Sequence, residues 1–121
     1  MSKRVLVLDD DEGTRDVLQT ALAYEDFIVE GLETSENIID EIKKFQPHLI
    51  VLDYLISPLK GDEVCRMIKS NAETAELPLV MCSAHPGASK LCSDCKCDAF
   101  IEKPFDLWRV VDRIKALTHE S

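Results

Sequence analysis

The 121-residue chain has no stretch of eighteen or more apolar residues, and no charged-then-apolar leader opens it. A membrane-spanning helix needs about 20 consecutive apolar residues and a secretory signal needs such a leader, so the sequence predicts neither. A stripe of basic residues is also missing. The 14 Lys and Arg are scattered among 23 Asp and Glu, for a net charge of −9. A surface of that sign repels phosphate backbones, so nucleic acid is not expected as a direct partner. No internal repeat, low-complexity tract or linker interrupts the chain. Five cysteines, an odd number in a chain with no secretion signal, suggest free thiols in a reducing cytoplasm. What is present is an ordinary globular balance, 45% hydrophobic and 31% charged, in a length that suits one compact domain over residues 1–121.

The apolar run Val5-Leu6-Val7-Leu8 ends abruptly in Asp9-Asp10-Asp11-Glu12. Adjacent acids repel one another. Their concentration behind a buried strand makes sense where a hard cation sits. Mg²⁺ takes oxygen ligands, is held by one or two carboxylates, and keeps waters or phosphate oxygens in its other positions. The same residues also suit the first turn of a helix, where the helix dipole favours acids. The motif alone leaves both readings open.

Short apolar runs alternate with helical periodicity throughout. Strand character appears at Val5–Leu8, Phe27–Glu30, Leu49–Leu52, Leu79–Cys82 and Ala99–Glu102. Between them, Val17, Leu18, Ala21 and Leu22 share one helical face; so do Ile38, Ile39, Ile42 and Phe45, after a cap at Thr34 or Ser35. Val64, Met67 and Ile68 form a third stripe, opened by Gly61-Asp62. The segment His85–Lys96 has a thin apolar face, and Pro86-Gly87 suits a turn. Leu107, Val110, Val111, Ile114 and Leu117 mark the last helix. Five strands alternating with five helices imply an α/β fold, a doubly wound parallel sheet covered on both faces.

A polar residue follows four of the five apolar runs: Asp9 and Asp10, then Asp53, Ser83 and Lys103. In a sheet ordered 2-1-3-4-5 these loops gather on one edge, with a ligand crevice between strands 1 and 3. Strands lie about 4.8 Å apart, so an extended lysine on strand 5 reaches toward strand 3. Singly, an Asp after a strand is a turn residue and a Ser is a helix cap. Jointly they bring three carboxylates, one hydroxyl and one ammonium to one hollow.

With those residues in view, the chain resembles a response-regulator receiver domain of two-component signalling, CheY-like and flavodoxin-like in fold, over essentially its full length. The matching pieces are Val7-Leu8-Asp9-Asp10 with Arg15 downstream, Val51-Leu52-Asp53 with Gly61 eight residues later, Ser83-Ala84, and Phe100-Ile101-Glu102-Lys103-Pro104-Phe105. In the family an Arg often lies six residues after the first acid of the pair; Arg15 stands six residues after Asp9, so the resemblance implies Asp9 and Asp10 as the acidic pair and leaves Asp11 and Glu12 to the loop or helix start. The resemblance implies that Asp53 accepts a phosphoryl group from a sensor histidine kinase or a histidine phosphotransfer protein. It implies Mg²⁺ held by Asp10 and Asp53, by Asp9 through water and by the Leu55 backbone carbonyl. It further implies Ser83 and Lys103 as phosphate contacts, and Phe100 as a switch aromatic that reshapes the face of the fourth helix, fifth strand and fifth helix. Output would pass to a downstream protein target or to an effector domain outside this chain. Such a protein is a phosphoacceptor, not a turnover enzyme. Lys103-Pro104 is cis in most of the family.

The loop after Asp53 departs from the pattern. Its proline, Pro58, stands five residues on where the family places it four on, while Gly61 keeps its place. Leu55 and His85 occupy the two variable positions that tune phosphate lifetime in this family. Cys92, Cys95 and Cys97 contain one CxxC without the paired spacing of a zinc site, and lie where receivers carry small residues, so packing is the expected role. Trp108 and Met67 are expected to pack or to be partly exposed. Two other classes compete. A degenerate receiver would bind proteins without taking phosphate, and the retained Asp9, Asp10, Asp53, Ser83 and Lys103 speak against it. A phosphatase on a similar sheet would need an acid/base carboxylate where Leu55 stands.

Overall fold

The computed structural model describes residues 2–119. Its elements are β1 (Arg4–Leu8), α1 (Glu12–Tyr24), β2 (Ile28–Leu32), α2 (Ile38–Phe45), β3 (Leu49–Asp53), α3 (Gly61–Ser70), β4 (Leu79–Ser83), α4 (Ala88–Cys95), β5 (Ala99–Glu102) and α5 (Leu107–Thr118). The five strands pair in parallel in the order β2-β1-β3-β4-β5. This is the flavodoxin-like topology expected from the alternation of strand and helix patterns.

Successive residues of a strand point to opposite faces, and each face of this sheet has its own core. Leu6, Leu8, Ile50, Leu52, Leu79 and Met81 meet Ile38 and Ile42 of α2, Val64 and Ile68 of α3, and Cys92 of α4. Val5, Val7, Leu49, Val51 and Val80 meet Leu18 and Leu22 of α1 and Val110, Val111 and Ile114 of α5. Because both faces are covered, the central strands read as unbroken apolar runs, with all five residues of β3 and of β4 buried. Fully burying each large aliphatic side chain contributes about 1.5–3 kcal/mol, so these two layers carry most of the fold's driving force.

The structure corrects several local expectations. β2 is displaced from Phe27–Glu30 to Ile28–Leu32 because register with β1 decides it, with Arg4 opposite Ile28 and Leu8 opposite Leu32. β3 and β4 each run one residue further than their apolar runs, so Asp53 and Ser83 are the last ladder residues and not the first loop residues. The cap of α2 is neither Thr34 nor Ser35. The helix starts after Asn37, which is left-handed at φ 57, while the buried Ser35 hydroxyl bonds both the carbonyl and the amide of Leu59. Val17 and Met67 carry apolar periodicity yet are exposed, at the edge of their helical faces.

The cysteines also depart from five free thiols. Lys96 is left-handed (φ 68) at the end of α4, and the Cys97 amide donates to the Cys92 carbonyl at 3.0 Å. That turn folds the chain back and brings the Cα atoms of Cys92 and Cys97 to 5.2 Å, and the two are joined as a disulfide. Cys65, Cys82 and Cys95 are free and buried. Burial pushes the Cys82 thiol up to about 12, and burial, with a hydrogen bond to Cys95, raises that of Cys65. At pH 8 their thiolate fractions are on the order of one in ten thousand or lower. Iodoacetamide at pH 8, read by mass, should therefore leave Cys65 and Cys82 unmodified in the folded protein and alkylate them in urea; rapid native-state labelling at Cys82 would contradict the packing.

Candidate functional site

A parallel sheet whose order reverses between β1 and β3 opens a crevice at the carboxyl ends of those strands. Asp9 and Asp10 follow β1, and Asp53 ends β3. One carboxylate oxygen from each lies within 4.8 Å of the others, which makes this a metal-competent cluster among the described residues. Asp9 and Asp53 are buried and Asp10 is exposed. Two uncompensated negative charges remain once the Lys103 ammonium is set against the three carboxylates. Hard oxygen donors with that residual charge fit a divalent cation such as Mg²⁺.

Local chemistry aims each acid. Arg15 Nη1 donates to the Asp9 backbone carbonyl at 2.7 Å, so the residue six positions on pins the start of the acidic run. Asp9 Oδ1 accepts the Asp11 amide at 2.9 Å. Asp11 is the cap of α1: its carboxylate accepts both the Thr14 amide and the Thr14 hydroxyl, and these bonds hold its pKa below the usual range. The third acid is thus a helix-start residue, as Arg15 implied. In β3, Asp53 Oδ1 accepts the Leu55 amide at 3.2 Å.

Lys103 enters from the far side of the sheet. Its Nζ lies 2.7 Å from Asp9 Oδ2 and 3.2 Å from Asp53 Oδ2. The shorter bond is to Asp9, a pairing that the sequence reading did not anticipate; nothing in the sequence marks which acid a lysine two strands away will meet first. Burial alone would pull the ammonium's pKa down. The Asp9 bond and the fields of Asp53 and Asp9 together outweigh it, and the net shift is upward.

Ser83 ends β4, 1% exposed, and its Oγ accepts the His85 amide at 3.1 Å. His85 is exposed, and its ring stacks on Tyr54 with centroids 4.9 Å apart. Leu55 is 44% exposed at the mouth of the site. Phe100 lies on β5 opposite Met81, packed against the core and not against the carboxylates. Both Ser57-Pro58 and Lys103-Pro104 are cis.

Gly61 shapes the floor. The Gly61 amide donates to the Tyr54 carbonyl at 2.7 Å, and a Cβ at Gly61 would stand 2.6 Å from Tyr54 Cα and 2.9 Å from the Asp53 carbonyl oxygen. Only a residue without a side chain lets α3 begin against the backbone that carries Asp53.

These features define a receiver-type acidic pocket, and comparison with known proteins agrees. Residues 5–115 match the family described as "Response regulator receiver domain", and the chain belongs to that family. It is 33% identical over 123 residues to the response regulator MprA of Mycobacterium bovis, and 32% identical to that of Mycolicibacterium vanbaalenii. All of this chain is covered but only 53% and 52% of those proteins, so it spans about half their length. In structure it is similar to the chemotaxis response regulator CheY4 of Vibrio cholerae (TM-score 0.88, 16% identity, 97% of this chain and 99% of that one). A CheY-like receiver protein of Methanospirillum hungatei gives a TM-score of 0.86 at 22% identity, covering 96% of this chain and 93% of that one.

Two outcomes follow from this geometry. Removing the ammonium leaves a buried acid unpaired, so Lys103→Met should cost about 1–3 kcal/mol of stability at pH 7 in urea denaturation. Because the folded pKa is raised above the ordinary 10.5, the stabilisation is whole below that pH and fades as pH climbs through the folded value; the variant should show a shallower alkaline decline above pH 10.5 than the parent. Gly61→Ala should cost about 1–3 kcal/mol by the same assay, since backbone must move to admit the methyl; wild-type stability would refute the contact.

Proposed function

We propose that this chain is a phosphoryl-accepting receiver: Asp53 takes a phosphoryl group from the phosphohistidine of a sensor kinase or histidine phosphotransfer protein. The observation that carries the reading is the convergence of Asp9, Asp10, Asp53 and Lys103 on one pocket. An Asp53 oxygen attacks phosphorus in line, the P–N bond breaks, and its electron pair returns to the imidazole. Such a transfer needs alignment and charge neutralisation more than proton chemistry. Asp9, Asp10, Asp53 and the Leu55 carbonyl would hold Mg²⁺, which supplies charge neutralisation at the phosphoryl oxygens. Lys103 exchanges its carboxylate partners for a phosphoryl oxygen, and the Ser83 hydroxyl donates to another. Phe100, one strand beyond β4, is the residue through which the change reaches the α4–β5–α5 face. Leu55 and His85 flank the acceptor and set access of water to it. The output is a downstream protein or an effector domain beyond this chain, and the setting is cytoplasmic; among the described residues, no helix is long and apolar enough to cross a membrane.

A phosphorylation-independent binding module is the competing reading. The receiver of DrrB has been solved in a BeF3-activated form, and it is similar in fold (TM-score 0.84, 24% identity, 97% of each chain). Beryllofluoride with Mg²⁺ therefore tests the difference here. Amide shifts around Asp53, Ser83 and Lys103 should move in the wild type and stay still in Asp53→Asn, which should also take no acid-labile acyl-phosphate label from a phosphodonor. A silent wild-type spectrum would favour the inert module.

A further inference from the structure

Asp53 and Ser83 end adjacent strands, and a ring contact joins the loops that follow them. The rings of Tyr54 and His85 stack at 4.9 Å between centroids, 29° between planes. Tyr54 directly follows Asp53, and His85 lies two residues beyond Ser83. We propose that Tyr54 is a positioning residue for phosphoryl capture: through its stack on His85 it holds the Ser83 hydroxyl with the proton free for a phosphoryl oxygen on Asp53. This rests on the reading of Asp53 as phosphoacceptor.

A hydroxyl has one proton and two lone pairs. One lone pair of Ser83 Oγ accepts the His85 amide at 3.1 Å, and among the described residues no acceptor takes the proton. The side chain is 1% exposed, so solvent does not reorient it freely. The His85 amide bond thus leaves Ser83 as the donor that an anionic oxygen requires.

That bond lies at the start of an exposed loop, where water competes for the amide. The loop continues through Gly87, at φ +87, and His85 through Gly87 offer little side-chain burial of their own. What secures His85 is the other ring. Tyr54 is the fixed half of the pair: its carbonyl accepts the Gly61 amide at 2.7 Å, α3 begins against its Cα, and its side chain packs on the core beneath α3. The stack therefore ties the loop after β4 to the most constrained backbone in the site. A donor held in place before the phosphoryl group arrives needs no further ordering when it does.

The test is an amide-NMR titration with beryllofluoride at saturating Mg²⁺, alongside Mg²⁺ alone. Tyr54→Ala and His85→Ala should each weaken beryllofluoride binding roughly two- to tenfold, the range expected of one aromatic pair. Tyr54→Phe keeps the ring and should restore wild-type binding. The double variant should bind no more weakly than the worse single variant. Mg²⁺ affinity should stay within about twofold throughout, because no carboxylate is touched, whereas a general loosening of the site would lower both. His85→Ala changes only an exposed side chain and keeps the amide, so it carries the test even if Tyr54→Ala folds poorly. Wild-type or tighter beryllofluoride binding in His85→Ala, additive losses in the double variant, or a parallel fall in Mg²⁺ affinity overturns the proposal. A wild type that binds no beryllofluoride at all removes the phosphoacceptor reading instead.

Discussion

Three carboxylates gathered within 4.8 Å, two of them buried, form the constraint around which this molecule is arranged. Two like charges about 4 Å apart repel by about 4 kcal/mol at an effective dielectric of 20, so the cluster opposes folding unless something cationic reaches it. The chain's own answer is Lys103, and its position dictates topology. The lysine follows β5, separated from β3 by β4, and the order that places β1, β3, β4 and β5 side by side brings its Nζ to both Asp9 and Asp53. The residual negative charge is what would give the pocket affinity for a hard cation. A site fully neutralised by protein groups would be more stable and would bind nothing.

The strand ends depend on apolar packing for their precision. Leu8 and Leu52 are fully buried and in register with one another, one residue short of Asp9 and Asp53 respectively. Each acid is therefore carried at the lip of a close-packed layer whose side chains cannot shift by much without opening cavities. On the loop side the restraints are polar and steric. Ser35, buried behind β2, grips the backbone of Leu59, and its amide donates to the Ser57 carbonyl at 2.9 Å. With Gly61 docked on Tyr54, these contacts clamp the segment after Asp53 at both ends of its cis Ser57-Pro58 turn. The proline stands one place further along this loop than in the family pattern while the loop length is kept, and Gly61 holds its contact with the acceptor's backbone.

Much of this was legible in the sequence, for identifiable reasons. Fully buried parallel strands announce themselves as unbroken apolar runs, so β1, β3 and β4 could be read within a residue, as could the short, partly buried β5, and the polar residue behind each run marked the site edge. Arg15 chose among three adjacent aspartates by the family's six-residue spacing, and in the structure its guanidinium bonds the Asp9 carbonyl. The edge strand β2 was displaced because it carries Glu30 and Gly31 and takes its limits from pairing with β1, not from its own pattern. The role of Ser35 was unreadable, since a serine before a helix looks like a cap and its true partner is 24 residues away. The Cys92–Cys97 bond was unreadable too: it depends on a left-handed turn at Lys96, a residue with no sequence preference for that conformation.

The last ladder bond of the sheet explains how events at Asp53 can concern β5 at all. The Lys103 amide donates to the Ser83 carbonyl at 3.0 Å, so the two groups that would contact a phosphoryl oxygen are bonded through their own backbones. A pull on the Ser83 hydroxyl and a pull on the Lys103 ammonium are not independent, and both load the four-residue strand that bears Phe100. β5 is paired on one side only, which makes it the strand of this sheet near the site that can yield without breaking a second ladder. Phe100 is half-buried there, in the row of Leu52 and Met81. Under the proposed phosphorylation, a small displacement at the strand end would change the packing of an aromatic ring at the surface, where a protein partner would read it.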